Sequence, residues 1–263
     1  MKKLKKKILF TLGHSHGILQ GKSDFPYFAL EELYWRLRPF AQSSTRDALI
    51  GLNKQKLVVK MERDGKVYYR LTSIGREYIY EFSGISLRRQ KVWDKGWRMV
   101  IMDSGALVPN QVRWLRGQLI NLGMKSLSRG VWVTPLDISQ EIKKVLIEEG
   151  VGGGVVVVVT RRFMVGDDKA FAERVWKLLK LRNSYQEIIS DCGRLLKNVR
   201  SAKSLNDRLK KEFLTVFDRW YELLPLEPKL PKTLLPDNWA SVEAANEFNK
   251  LAESVLELER EHN

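Results

Sequence analysis

The stretch Ser43–Gly75, SSTRDALIGLNKQKLVVKMERDGKVYYRLTSIG, decides the fold. Its first half has a helical period, with Ala48, Leu49 and Leu52 on one face and Ser43 or Ser44 placed as the N-cap. After Lys56 the period drops to two. Leu57–Met61 and Lys66–Leu71 then flank Asp64-Gly65, a dipeptide that tolerates the positive φ angles of a tight hairpin turn. Thr72-Ser73-Ile74-Gly75 opens another helix, which carries Tyr78, Ile79 and Phe82. Upstream, Ala29–Leu37 sets Leu30, Leu33, Tyr34 and Leu37 at i, i+3, i+4, i+7, and Pro39 stops it. Further upstream, lysines 2, 3, 5, 6 and 7 lead into a first helix over Lys3–Leu12, and a polar loop with Gly13, Gly17 and Gly21 follows.

Three short helices and then a hairpin is the order of a winged helix-turn-helix. In that geometry the third helix enters the major groove by its N-terminal end. The candidate DNA contacts are Ser43, Ser44, Thr45 and Arg46, with Asn53 farther along. Arg46 has the forked donor set that grips a guanine edge. Arg63 and Lys66 stand at the wing tip, where cations meet phosphate or the minor groove. Charge agrees with this placement. Of the net +15, residues 1–92 carry +11, with 19 Lys and Arg against 8 Asp and Glu, while residues 182–263 carry −1. The lysines before residue 8 add sequence-independent affinity for a polyanion.

The middle of the chain alternates element types. Trp97–Met102 reads as a strand ending at Asp103, Asn110–Leu122 as a helix closed by Gly123, and Lys125–Ser128 and Val131–Thr134 as strands about Arg129-Gly130. Ile138–Glu149 reads as a helix and Lys169–Leu181 as another. The five valines Val155–Val159 suit a central strand buried on both faces. The order β-α-β-β-α-β is a ferredoxin-like split βαβ. Gly150–Gly154 precedes a strand and lacks a following Gly-Lys-Ser/Thr, so it reads as a flexible loop and not as a phosphate cradle. Beyond it, Tyr185–Leu196, Ser204–Leu224 and Val242–Glu261 read as amphipathic helices, with a proline-rich segment at Pro225, Pro228, Pro231 and Pro236. Phe213, Phe217, Trp220, Tyr221 and Trp239 are either core or the lining of an apolar pocket.

Several chemistries lack their residues. Cys192 is the single cysteine, which excludes a disulfide framework and a cysteine-based zinc site. The three histidines, His14, His16 and His262, lie at the chain ends, so no Ser-His-Asp or Cys-His set assembles. No cofactor motif is present. No run of 18 uncharged apolar residues exists, and a cytoplasmic, non-membrane protein is expected. Asp103, at a strand end, is either a loop cap or half of a divalent-cation site completed by a second copy.

The residues also carry a resemblance. Ser44–Leu49 through Tyr68–Gly75 resembles the recognition helix, wing and "YRLT..G" segment of the PaaX-like transcriptional repressors. Trp93-Asp94-Lys95-Gly96-Trp97-Arg98-Met99-Val100, with Arg113, Leu115-Arg116, Leu119, Gly123 and Val131–Pro135, resembles their central domain. Glu227–Pro231, Leu234-Leu235-Pro236 and Trp239 resemble their C-terminal "DPxLPxxLLPxxW" signature. Gly51 stands where that family usually has arginine, and Asp103–Val108 departs from its usual run. The central domain is also similar to the small CRISPR-associated nuclease of spacer integration, in which a strand-end aspartate is the metal residue.

The resemblance implies an α+β chain with a winged helix-turn-helix at 1–90, a ferredoxin-like dimerisation domain at 91–182 and a helical C-terminal domain at 183–263. It implies a non-enzymatic homodimeric repressor on a palindromic double-stranded DNA operator, relieved by an acyl-CoA-type effector. The alternative is a metal-dependent nuclease acting through Asp103.

Overall fold

A computed structural model of the chain describes residues 3–14, 27–83, 92–103, 105–148, 150–161 and 166–260. Lys2, His16, Gly17, Gly21, Ser104 and His262, and the side chains of His14 and Phe82, lie outside the described residues. The architecture is α+β with antiparallel sheets.

Helix α1 (Lys3–His14) continues beyond Leu12 and takes His14 into its last turn instead of a loop. A two-residue strand, β1 (Phe28–Ala29), precedes α2 (Leu30–Arg36), α3 (Gln42–Lys54), β2 (Val58–Arg63), β3 (Lys66–Leu71) and α4 (Ser73–Ser83). Two residues are too few to show a period, so β1 is invisible to pattern reading. It pairs with β3 at Phe28↔Tyr69, giving a three-stranded sheet in the order β1-β3-β2. The cap of α3 also differs from expectation. Ala41 is its N-cap, and the Thr45 N–H already donates to the Ala41 carbonyl at 3.0 Å. Ser43 and Ser44 therefore lie inside the first turn, where neither can cap it. Between β2 and β3, Asp64 (φ 50°) and Gly65 (φ 71°) make the expected left-handed pair. At the entry to α4, Gly75 leaves no room for a Cβ against the Leu57 carbonyl. Its N–H donates to Thr72 Oγ1, which in turn donates to the Lys56 carbonyl at 2.7 Å.

The central elements are β4 (Trp97–Met102), α5 (Pro109–Asn121), β5 (Lys125–Ser128), β6 (Val131–Thr134), α6 (Ser139–Glu148), β7 (Val155–Thr160) and α7 (Asp168–Trp176). Their sheet runs β5-β6-β4-β7, antiparallel throughout, as the split βαβ order requires. The expectation for the valine run is overturned. Among the described residues β7 is an edge strand paired with β4 alone, and Val156, Val157, Val158 and Val159 are 58, 39, 38 and 54% exposed. A valine run reads identically at an unpaired edge and in a sheet centre, because period and propensity carry no information about neighbours.

The expected helix Lys169–Leu181 is two helices. Lys177, left-handed at φ 54°, ends α7, and α8 (Leu178–Ser201) starts at once and runs 24 residues. It is followed by α9 (Asp207–Leu223), capped by the Asn206 side chain, and by α10 (Ser241–Arg260).

The chain divides into two compact units. One comprises Met1–Arg88, Arg182–Glu227 and Ala240–Asn263; the other comprises Arg89–Leu181 and Pro228–Trp239. In the first, α1 buries Ile8, Leu9, Phe10 and Leu12. The Phe10 ring lies 5.5 Å from Phe217 and 5.3 Å from Tyr221 of α9, and Phe213, Trp220 and Phe248 complete the aromatic core. Two ion pairs cross this core. Arg36 meets Glu259 of α10 at 2.6 Å with both side chains buried, and Trp35 Nε1 donates to the other Glu259 oxygen at 2.7 Å. Lys7, 4% exposed, meets Asp218 of α9.

In the second unit, Val100, Met102 and Trp132 pack beneath Leu115, Leu119 and Ile142. On the other sheet face, Trp97 and Val133 pack against Ala172, Trp176, Leu230 and Leu234. The Arg98 guanidinium, 4% exposed, is held by both carboxylate oxygens of Asp94, at 2.7 and 2.5 Å. That hydrogen bonding lowers the Asp94 carboxyl to about 2. The aromatics read as either core or one pocket are core: Phe213, Phe217, Trp220 and Tyr221 pack in the first unit, and Trp239 packs in the second.

Candidate nucleic-acid interface

Helix α3 has a sharply divided surface. Thr45, Ala48, Leu49 and Leu52 are buried, so the opposite ridge, running Ser43, Asp47, Ile50, Lys54 at i, i+4, i+7, i+11, faces outward. Every one of these four residues is exposed, and Ile50 is 46% exposed although it is a large aliphatic residue. Arg46 and Asn53, seven residues apart, share one flank of that ridge. Arg46 Nη2 donates to the Tyr34 hydroxyl of α2 at 3.2 Å, which aims the guanidinium along the flank. On the other flank lies Gly51. A Cβ there would meet Lys5 Nζ at 2.7 Å, so the absence of a side chain at 51 lets the α1 lysine lie across α3.

The structure sorts the sequence candidates accordingly. Ser43, Ser44, Arg46 and Asn53 are exposed on α3. Thr45 is not available to DNA: it is fully buried, and its hydroxyl has no hydrogen-bond partner among the described residues. Its position one turn before Leu49 puts it on the apolar stripe, and a threonine's polarity hides that placement from a reading by residue type. Lys7 is likewise withdrawn from the cationic set, since its ammonium is buried against Asp218.

Arg63 and Lys66 are exposed at the hairpin tip, directly across the strand pair from each other. The tip is of mixed sign, however. Arg63 lies 3.4 Å from Asp64, and Lys60 is paired with Glu62. The hydrogen bond between Lys60 and Glu62 raises the lysine and lowers the carboxyl. Tyr34, Asp47, Ile50 and Lys60 belong to this surface and were not singled out from sequence. The signal that finds Ile50 is negative: it is apolar but falls outside the Ala48, Leu49, Leu52 stripe.

Asp103 is exposed, and its Oδ1 accepts from the Gly105 N–H at 2.9 Å, the geometry of a loop cap. Among the described residues no group of three or more His, Cys, Asp or Glu is arranged to hold a metal ion. Cys192 is buried in α8, and burial pushes its thiol up to about 12, away from any thiolate chemistry. Among the described residues no helix is long and apolar enough to cross a membrane.

Two family models match the chain. One, the PaaX protein central Cas2-like domain, covers residues 90–172, and the other, the PaaX-like protein C-terminal domain, covers residues 176–263. The chain belongs to the PaaX-like family. Among solved structures, this PaaX-like chain is similar to an uncharacterized protein, Rv0674 from Mycobacterium tuberculosis, at TM-score 0.52 and 20% identity over 95% of this chain and 94% of that one. At that identity the likeness concerns the fold alone. No curated protein matches the chain.

Proposed function

We propose that this PaaX-like protein is a cytoplasmic, homodimeric transcription repressor that binds a palindromic operator through α3 and the β2–β3 wing. The observation that carries the reading is the shape of the N-terminal elements. Two helices, a third with a solvent-facing ridge, and a hairpin closed by a short third strand follow in that order, which supports a winged helix-turn-helix reading. Membership of a regulator family supports it. In this reading residues 1–90 carry DNA recognition, 91–182 join the copies, and 183–263 buttress the first segment. Dimerisation is supported by β7, whose far side no strand pairs among the described residues. A run of valines is its own complement across a twofold axis, and antiparallel pairing of two β7 strands covers apolar surface that one copy leaves in water. The family also brings an acyl-CoA-type effector into the proposal, tested by adding an aryl-acyl-CoA thioester to the preformed complex.

The deciding experiment is selection of bound duplexes from a random pool at about 150 mM salt. An inverted repeat, with half-sites about 34 Å or a multiple apart, supports a dimeric reader. A pool without sequence preference overturns the operator reading.

A further inference from the structure

We propose that Ile50 is a specificity-determining residue that reads a thymine, by packing its side chain on the C5 methyl group in the major groove. The inference rests on the DNA-binding reading above and deepens it. Three observations lead to it. First, Ile50 is the large aliphatic residue on the outward ridge of α3, 46% exposed, while the helix's other aliphatic side chains, Ala48, Leu49 and Leu52, are buried. An exposed aliphatic in the middle of that ridge loses solvent contact only when another surface covers it. Second, Ile50 follows Asp47 along the same ridge. A carboxylate there is repelled by phosphate and tolerated by base edges, where it accepts from a cytosine amino group, so the ridge is suited to the floor of the groove and not to its backbone wall. Third, cations surround the centre of the ridge instead of occupying it. Arg46 is held to one side by Tyr34, Lys5 lies across the other at Gly51, and Lys54 stands at the C-terminal end. This arrangement brings cations to the strands while the apolar centre faces the bases. In the major groove the thymine methyl is the apolar group on offer.

The test uses the full chain and the operator recovered by selection. Each thymine of the half-site is replaced in turn by deoxyuridine, which removes only the methyl group, and affinity is measured for the wild type and for Ile50→Ala. The expected result is one thymine per half-site at which the wild type loses about fourfold, the value of one buried methyl group. On the thymine operator Ile50→Ala loses at least as much, and it is indifferent to deoxyuridine at that position. Ile50→Val retains the distinction. The inference is overturned if Ile50→Ala keeps the wild-type response to deoxyuridine, or if no thymine responds. It is also overturned, together with the operator reading, if selection recovers no sequence. That joint failure is recognised before any substitution is made. Because Ile50 is half out of the core, circular dichroism of both variants should match the wild type.

Discussion

Glu259 accepts two hydrogen bonds at once, from Trp35 Nε1 and from the Arg36 guanidinium, which also lies 4.4 Å from the Trp35 ring centroid. Removing the charge while keeping the shape takes from the buried Arg36 cation the carboxylate that it meets at 2.6 Å. Glu259→Gln should therefore cost about 3–5 kcal/mol in urea denaturation. A loss under about 1 kcal/mol would mean that solvent reaches the guanidinium. Asp94 makes a different test. Its folded value of about 2 lies below the ordinary aspartate value of about 3.9, so its pair with Arg98 contributes fully above that value and fades as pH falls towards 2. In Asp94→Asn, the part of the acid destabilisation between pH 4 and 2 that this carboxyl causes should vanish. An unchanged acid profile would assign that loss to other carboxylates. Glu259 does not stand out in sequence, and Asp94 appears there only within a family stretch, because the importance of each comes from a buried arginine that it meets in the fold. Thr45 and Ile50 show the converse: their residue types point the wrong way, and their places on the helix decide.

At the scale of elements, pattern reading succeeds where a local cause exists. Asp64-Gly65 forms its turn because both residues accept positive φ, and the apolar stripe of α9 (Leu209, Phe213, Val216, Phe217, Trp220) is buried as its spacing demands. It fails where the cause lies elsewhere in the chain. Strand β1 exists because β3 offers it an edge, and β7 is exposed because nothing pairs with its far side among the described residues. The latter yields a prediction. Val156→Lys places a charge on an exposed edge position and should leave the monomer folded while dissociating the proposed dimer. Sedimentation at micromolar concentration checks this, and a persistent dimer would put the interface on another surface.

For the whole molecule, the charge is asymmetric, with +11 in residues 1–92 against −1 in residues 182–263. If the dimer neutralises about 6–10 phosphates, operator affinity should fall about 10³–10⁵-fold between 50 and 200 mM salt. The two lysines of α1 should separate in that measurement. Lys3→Ala, at an exposed position, should shallow the salt slope with stability intact, whereas Lys7→Ala should lower stability because Asp218 loses its buried partner. Identical behaviour of the two variants would refute the division drawn from their burial.

The first unit is built from the beginning and the end of the chain, with Phe10 seated on Phe217 and Tyr221 and Arg36 locked to Glu259. During synthesis the reading helix therefore leaves the ribosome long before the helices that support it. At about 5–20 residues per second, the stretch from Arg36 to Glu259 takes roughly 10–45 seconds to appear. Until α9 emerges, Phe10 lacks the Phe217 and Tyr221 rings that it packs on. In the repressor reading proposed above, a newly made chain becomes competent for DNA only when its last helix has docked.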